Sequence, residues 1–582
     1  MRTLILALSL LAVGAAQTAI MPLSQIHAGM HGVGRTIFQG DTVSDFQVDI
    51  LGVVSNLGPR QAVIFAKLSG GPLADTGVIE GMSGSPVYID GKLIGAVALG
   101  YPFSKSAIAG ITPIEQMMAQ QKRATLDAKA ESALPRTLAW DAKPGASQWE
   151  SISLPELKTP LVLSGFSQRA LTQFLPQWEN FGLRPQLGPG AGAAALDQPM
   201  GDPKDLKPGD MISVQLLRGD LGISADGTVT YIDGNQIYAF GHRFLAAGTT
   251  AMPFNKASVL TLIPGLMTST KMDTPGEPMG VIHQDLSQGV YGSFGGHASM
   301  IPIHVHIHRP GQPVDAYSFE MVDSRVLSPV LLNMALYSTL DANERGIGTT
   351  TFQISEAIQV GSGEPLKFSD LYTSDQGGPL AAAAGAARPL TMLYGSRLDP
   401  DVKGLDIDVN ASDQKRVLTL EQVWTNTTTV APGAKFEVTA LFASSDGGEI
   451  TRAIPLEIPE SQPAGDLTVW VGDGAALQRM QPPSADPVAA ARDLPRLLAA
   501  LGQLPVSNRI YARITAPQTA YEVAGRQFPA PPPSLARALA SDGSSDRAVI
   551  SEATSTVADY RGAPLTFVVS GLKSIRIRVE PN

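Results

Sequence analysis

The sequence predicts a mainly β protein, and three observations carry that reading. Short apolar runs of roughly four to eight residues alternate with turn signals along most of the chain. The composition is rich in turn formers, with 58 Gly and 44 Pro among 582 residues and only 16% charged side chains. One hairpin pattern also occurs twice, as YIDGKLIGAV at 88–97 and YIDGNQIYAF at 231–240. In each the Asp-Gly pair suits a tight β-turn, and the flanking residues alternate as strands do.

Taken in order, the chain opens on MRTLILALSLLAVGAAQTA, with Arg2 ahead of an apolar run from Leu4 to Val13 and then small residues. That is the layout of a secretory signal peptide over 1–19, with cleavage expected near Ala16 or Ala19. The run is too short for a comfortable membrane span, and no further span is expected. The chain has no cysteine, which removes disulfides, thiolate metal sites and cysteine nucleophiles together. An exported protein without disulfides fits a bacterial periplasm, envelope or extracellular setting, although Asn410 and Asn426 stand in glycosylation sequons. A net charge of −10 and the absence of a basic stripe exclude nucleic acid as the expected partner.

From Ile20 to about Gln120 the runs RTIFQG, DFQVDILGVV, QAVIFAKL, SPVYID and KLIGAVAL read as strands of one closely connected β-domain. Residues 113–132 read as a helix with Pro113 in its first turn. A polar, Pro-containing stretch and a mixed segment lead through the low-complexity GPGAGAAALDQP to a second β-rich region, from about Leu206 to Tyr372. The Ala-rich stretch near 379–397 reads as helical, and runs such as KFEVTALFA and LTVWV over 417–474 read as an immunoglobulin-like sandwich. An amphipathic helix, a PAPPP segment and two terminal strands close the chain.

The chemistry concentrates in GMSGSP at 81–86. A serine becomes a nucleophile when a base takes its proton and backbone N–H groups await the oxyanion. Gly81 and Gly84 permit turn conformations closed to other residues, so the N–H groups of Gly81 and Ser83 can converge on one point as an oxyanion hole. The base is sought among eight histidines. His242, in YAFGHRF, follows the second copy of the hairpin and is the first candidate; His27 and His31 are the fallback bases. His304, His306 and His308 alternate in IPIHVHIHRP and share one strand face, where neighbours about 7 Å apart suit a polar face better than one zinc ion. No metal and no cofactor are expected. The acids weighed for orienting the base are Asp285, 43 residues after His242, and then Asp75, eight residues before Ser83.

These stretches resemble the sporulation stage IV B (SpoIVB) serine-peptidase family. The likeness runs through GMHGVGRTIFQG, GMSGSPVYIDGKLIGAV and GITPIEQM on the serine side, and through GTVTYIDGNQIYAFGHRF and TPGEPMGVIHQDLSQGVYGSFG on the histidine side. It implies a chymotrypsin-like double β-barrel, Ser83 as nucleophile, His242 as general base, and cleavage of protein or peptide substrates outside the cytoplasm. It also implies a substrate-cleft strand at AVALGYP, with Ala98, Leu99, Gly100 and Tyr101 along it. Here the histidine segment follows the serine segment, so the order is permuted. The aspartate expected shortly before the serine motif falls in KLSGGPL, where no acid stands. The expected division is therefore a signal peptide (1–19), a serine-bearing barrel half (20–125), a linker and mixed segment (126–205), and a histidine-bearing barrel half (206–375). A helical connector (376–400), the sandwich (401–475) and a mixed α/β tail (476–582) complete it. Two functions follow: an exported serine endopeptidase acting through an acyl-enzyme, or a catalytically silent scaffold that binds proteins or cell-surface ligands. The missing acid is the main support for the second.

Overall fold

The computed structural model describes residues 18–131 and 157–580, apart from 158, 182, 191, 193–195, 197, 490, 553 and short stretches at 59–60, 102–103, 344–347, 481–486, 518–519, 524–525, 530–531 and 542–548. The apolar run of the expected signal peptide and most of the expected linker lie outside the described residues. Two compact units make up the chain: residues 1–165 with 173–299, and residues 166–172 with 300–582.

The first unit contains two closed barrels. In the first, strands β1 (His31–Ile37), β2 (Val43–Gly58) and β3 (Gln61–Ser69) lead through the short α1 (Leu73–Thr76) and β4 (Ile79–Glu80) to β5 (Pro86–Ile89), β6 (Lys92–Gly100) and β7 (Ile108–Pro113). Around the ring the order is β1-β2-β3-β7-β6-β5, closed by β1 against β5. Period-two alternation fills it: Phe46, Val48 and Ile50 of β2 meet Ile64, Ala66 and Leu68 of β3 in one apolar cluster. Each fully buried aliphatic side chain of this kind contributes about 1.5–3 kcal/mol. The helix expected over 113–132 is α2 (Ile114–Glu131). Ala19 and Met21 bond to Leu93 of β6, so the chain is already tied to the barrel there.

After β8 (Pro160–Ser164), α3 (Gln168–Asn180) and β9 (Arg184–Leu187), the second barrel is built from β10 (Met211–Gly219), β11 (Gly222–Asp233), β12 (Gln236–Ala239), β13 (Gly248–Ile263), β14 (Ser269–Leu286) and β15 (Gly289–Phe294). Its ring runs β10-β11-β12-β15-β14-β13 and closes through β10 against β13. In each barrel's own numbering both rings read 1-2-3-6-5-4, so the two barrels share one topology. The expected histidine-bearing half ends earlier than 375, because residues from 300 onward belong to the second unit.

The repeated YIDG hairpins do not mark equivalent positions. The first joins strands four and five of its ring, the second joins strands two and three. Their turns differ too: Ile89 pairs with Lys92 around Asp90-Gly91, both at positive φ, whereas Asp233 pairs with Gln236 around Gly234-Asn235, where Gly234 alone has positive φ. Shared local chemistry made two hairpins, with different turns, at different places in one fold. The hairpins nevertheless pack together, with Leu93 and Ala96 of the first against Tyr231 and Tyr238 of the second.

In the second unit, β16 (Met300–His308), β17 (Asp315–Val322), β18 (Thr350–Val360), β19 (Leu366–Ser374) and β20 (Val402–Ser412) share one sheet. Helices α4 (Leu327–Asn343) and α5 (Gly378–Gly395) pack on it; α5 is the expected connector. A two-sheet sandwich follows with one apolar core that includes Leu418, Val438, Phe442, Val469, Ile514 and Ile577. Its limits differ from the expected 401–475. Residues 402–412 pair instead with β16 and β18, and the second sheet draws on Tyr511–Ala516, Ser555–Arg561 and Leu572–Val579. Sequence spacing cannot show that late strands return to complete an early sheet. No described helix is long and apolar enough to cross a membrane.

Candidate active site

Ser83 lies in the connection between the third and fourth strands of the first barrel, where β4 pairs in parallel with Ser269 and Thr270 of β14. The turn is fixed by its own backbone bonds: Met82 N–H donates to Ile79, Gly84 N–H to Val97, and Ser85 N–H to Met82. The N–H groups of Gly81 and Ser83 take no part in these three bonds, which is what an oxyanion hole requires. Gly81 and Gly84 have φ of 92° and 95°, a region closed to most side chains.

His242 lies in the topologically equivalent connection of the second barrel, between its third strand, β12, and its fourth, β13. The two connections interlock. A Cβ on Gly84 would stand 1.9 Å from Thr228 O and 2.6 Å from Phe240 N; a Cβ on Gly241 would stand 2.9 Å from that of Ala96. Each glycine therefore lets one connection seat against the other barrel, one residue from Ser83 on one side and one residue from His242 on the other. The seam is hydrogen-bonded as well. Thr228 N–H donates to Ser83 O at 2.8 Å, Thr228 Oγ1 donates to Gly81 O, and Thr230 Oγ1 donates to Gly84 O.

His242 is 3% exposed, and its Nδ1 stands 2.6 Å from Arg243 O. A carbonyl only accepts, so Nδ1 carries the proton and Nε2 is the lone-pair nitrogen of the neutral ring. Asp285, at the end of β14, does not hold the ring in this structure. Its carboxylate accepts the N–H groups of Phe244, Leu245 and Ala247 at 2.6–3.1 Å and so fixes the loop after His242. Burial raises its pKa, opposed by those three bonds and by the nearby His242. Asp75 is exposed in the first turn of α1. Ser83 Oγ is buried and has no hydrogen-bond partner among the described residues, so the bond from serine to base is not formed. Hydrogen bonds of this kind commonly tighten only around substrate.

Of the expected cleft residues, Ala98, Leu99 and Gly100 are buried on β6 and Tyr101 is half-buried. His27 and His31 are at the surface; His31 Nδ1 meets Asp49 at 2.7 Å. His304, His306 and His308 stand along β16, where His306 and His308 both approach Asp408 of β20, at 3.6 and 3.5 Å. Among the described residues no group of three or more His, Cys, Asp or Glu side chains is arranged to hold a metal ion.

Sequence reasoning missed Thr228 and Thr230, although their spacing in GTVTYIDG places both on one strand face. It also missed Lys271. This lysine is fully buried, runs under Gly81 within 3.1–3.3 Å of where a Cβ would be, and donates to Thr36 Oγ1 at 2.8 Å. Burial lowers its pKa to about 7 against the pull of Asp273.

Two barrels of one topology, with a serine and a histidine in equivalent connections across their seam, make a chymotrypsin-like β fold. The model of the SpoIVB peptidase S55 family matches residues 13–118, so this segment is similar to that family of serine peptidases. The matched segment carries Ser83, Gly81 and the expected cleft strand; His242 lies beyond it. No curated protein and no solved structure matches the chain.

Proposed function

We propose that the protein is an exported serine endopeptidase in which His242 Nε2 takes the proton of Ser83 Oγ. Ser83 attacks the peptide carbonyl, the N–H groups of Gly81 and Ser83 hold the oxyanion, and the protonated imidazole then donates to the leaving amine. Water releases the acyl-enzyme by the same steps. Arg243 O and the Asp285-fixed loop orient the ring. The observation that carries this reading is the reciprocal seating of Gly84 and Gly241, which sets the serine turn against the histidine turn. Export rests on the basic residue and apolar run at the N-terminus. A second reading, a silent scaffold, is favoured by the burial of Ser83, which is 1% exposed. A fluorophosphonate separates them: the peptidase is expected to be labelled at Ser83, with labelling lost in Ser83→Ala and reduced at least ~100-fold in His242→Ala. Absence of Ser83-dependent labelling leaves the scaffold.

A further inference from the structure

We infer that Leu157 of the chain itself occupies the primary side-chain subsite of the Ser83 cleft, and that this subsite takes leucine-sized apolar residues. The inference deepens the peptidase reading and rests on it. Strand β6 carries a bulge: Val97 pairs with Ile111 and Leu99 with Gly110, which leaves Ala98 opposite no residue of β7. The Ala98 carbonyl is taken instead by Leu157 N–H at 3.1 Å.

The Leu157 side chain is 6% exposed and lies over Gly100. A Cβ on Gly100 would come within 2.6 Å of Leu157 Cδ2 and 3.5 Å of Val78 Cβ. Only glycine leaves that space open. Leu157 shares its apolar cluster with Ile79 and with Met82, the residue before Ser83. The chain then passes from the first barrel to the second: Thr159 O accepts the N–H of Arg184, and β8 pairs with β11.

An extended substrate in a cleft between two barrels has the same requirements. It needs a main-chain bond to the cleft strand and a side chain in a hole beside the nucleophile. The residues around Leu157 are apolar, so a charged side chain there would be desolvated without a partner. Occupation by the chain makes Leu157 a competitor of any substrate.

The test uses the full chain carrying Ser83→Ala, which cannot turn over. Binding of two probes, acetyl-Ala-Ala-Leu and acetyl-Ala-Ala-Glu, is measured by calorimetry. Adding Leu157→Gly is expected to tighten the leucine probe at least ~10-fold, as burial of one leucine side chain implies, and to leave the glutamate probe unbound. Leu157→Met, which refills the hole, is expected to bind the leucine probe no better than the parent. Equal binding of the leucine probe with and without Leu157→Gly, or equal binding of both probes, overturns the inference. Thermal unfolding checks that each variant is folded, and Leu157→Ala replaces the glycine variant if that one is not. Failure of the nucleophile assignment is seen separately, as no fluorophosphonate labelling in a Leu157→Gly chain that keeps Ser83.

Discussion

The two barrels of the first unit have the same strand order, yet they fill their buried positions differently. Strands β2 and β3 of the first barrel bury Phe46, Val48, Ile50, Ile64, Ala66 and Leu68. Among its buried residues the second barrel includes Ser213, Gln215, Ser224, Asp226, Asn255, Lys271 and Asp273. Ser213 Oγ donates to Asp226 Oδ1 at 2.5 Å, and Gln215 Nε2 donates to Ser213. Burial pushes Asp226 up to about 7 despite its serine bonds, and raises Asp273 well above the usual carboxylate range. One topology thus tolerates an apolar filling that is indifferent to pH and a polar filling that is not. The serine sits on the first kind of barrel and the histidine on the second.

The comparison can be broken most severely at the seam that both barrels share. Gly84→Val places a branched side chain against Thr228 O at a φ of 95°. The expected cost exceeds ~4 kcal/mol, or the chain fails to fold; urea unfolding measures it. Gly91→Ala, at a hairpin tip with open space around it, is the control and should cost about 1 kcal/mol. Within the first barrel, Ile64→Ala should cost about 2–5 kcal/mol, with the same loss at pH 4 and pH 7.

Asp226→Asn tests the other half of the contrast. A carboxyl whose folded pKa is raised contributes its stability fully below the unfolded value near 4, and loses it as pH rises toward the folded value near 7. The asparagine variant should therefore gain about 2–4 kcal/mol on the wild type between pH 4 and pH 7, read from urea midpoints at both. An unchanged pH profile would place the titration elsewhere in the cluster.

Smaller effects sharpen the assignment of the acids. Asp285→Asn keeps one acceptor oxygen for the loop after His242 and loses the charge, so it should cost about 1–3 kcal/mol. It should also slow Ser83 labelling less at low pH than at high pH, because the carboxylate stabilises the protonated ring and its loss leaves more of the ring neutral on the acid side. A purely structural role would lower stability with no change in the pH profile. Asp75→Asn, at an exposed position, should fall within about 0.5 kcal/mol of the parent in urea unfolding.

Much of the local structure was legible. The runs RTIFQG, QAVIFAKL and KLIGAVAL became β1, β3 and β6 because alternation with turn residues is a short-range signal. The Ser83 turn was legible for the same reason: its two glycines and proline fix the backbone within six residues. Three features were not. The likeness of the two YIDG hairpins suggested equivalent units, although ring order places them at different strands. The spacing offers Asp285 as an acid to orient the imidazole, whereas its carboxylate takes the N–H groups of Phe244, Leu245 and Ala247. The limits 401–475 leave out strands of the second sheet, since Tyr511–Ala516, Ser555–Arg561 and Leu572–Val579 arrive about 40 to 110 residues after the strand at Gly465–Gly472.

By itself, the sequence determined the β class, the strand positions, the conformation of GMSGSP and the residue types available for acyl transfer. These depend on neighbours a few residues apart, where steric limits on φ and the period of a strand act directly. Only the tertiary structure decided which connection faces which, that Gly84 and Gly241 seat against opposite barrels, that Lys271 runs beneath Gly81, and that Leu157 reaches Ala98. Those contacts join residues tens to hundreds of positions apart. They are set by the closing of two rings and the packing of one on the other, which no local pattern encodes.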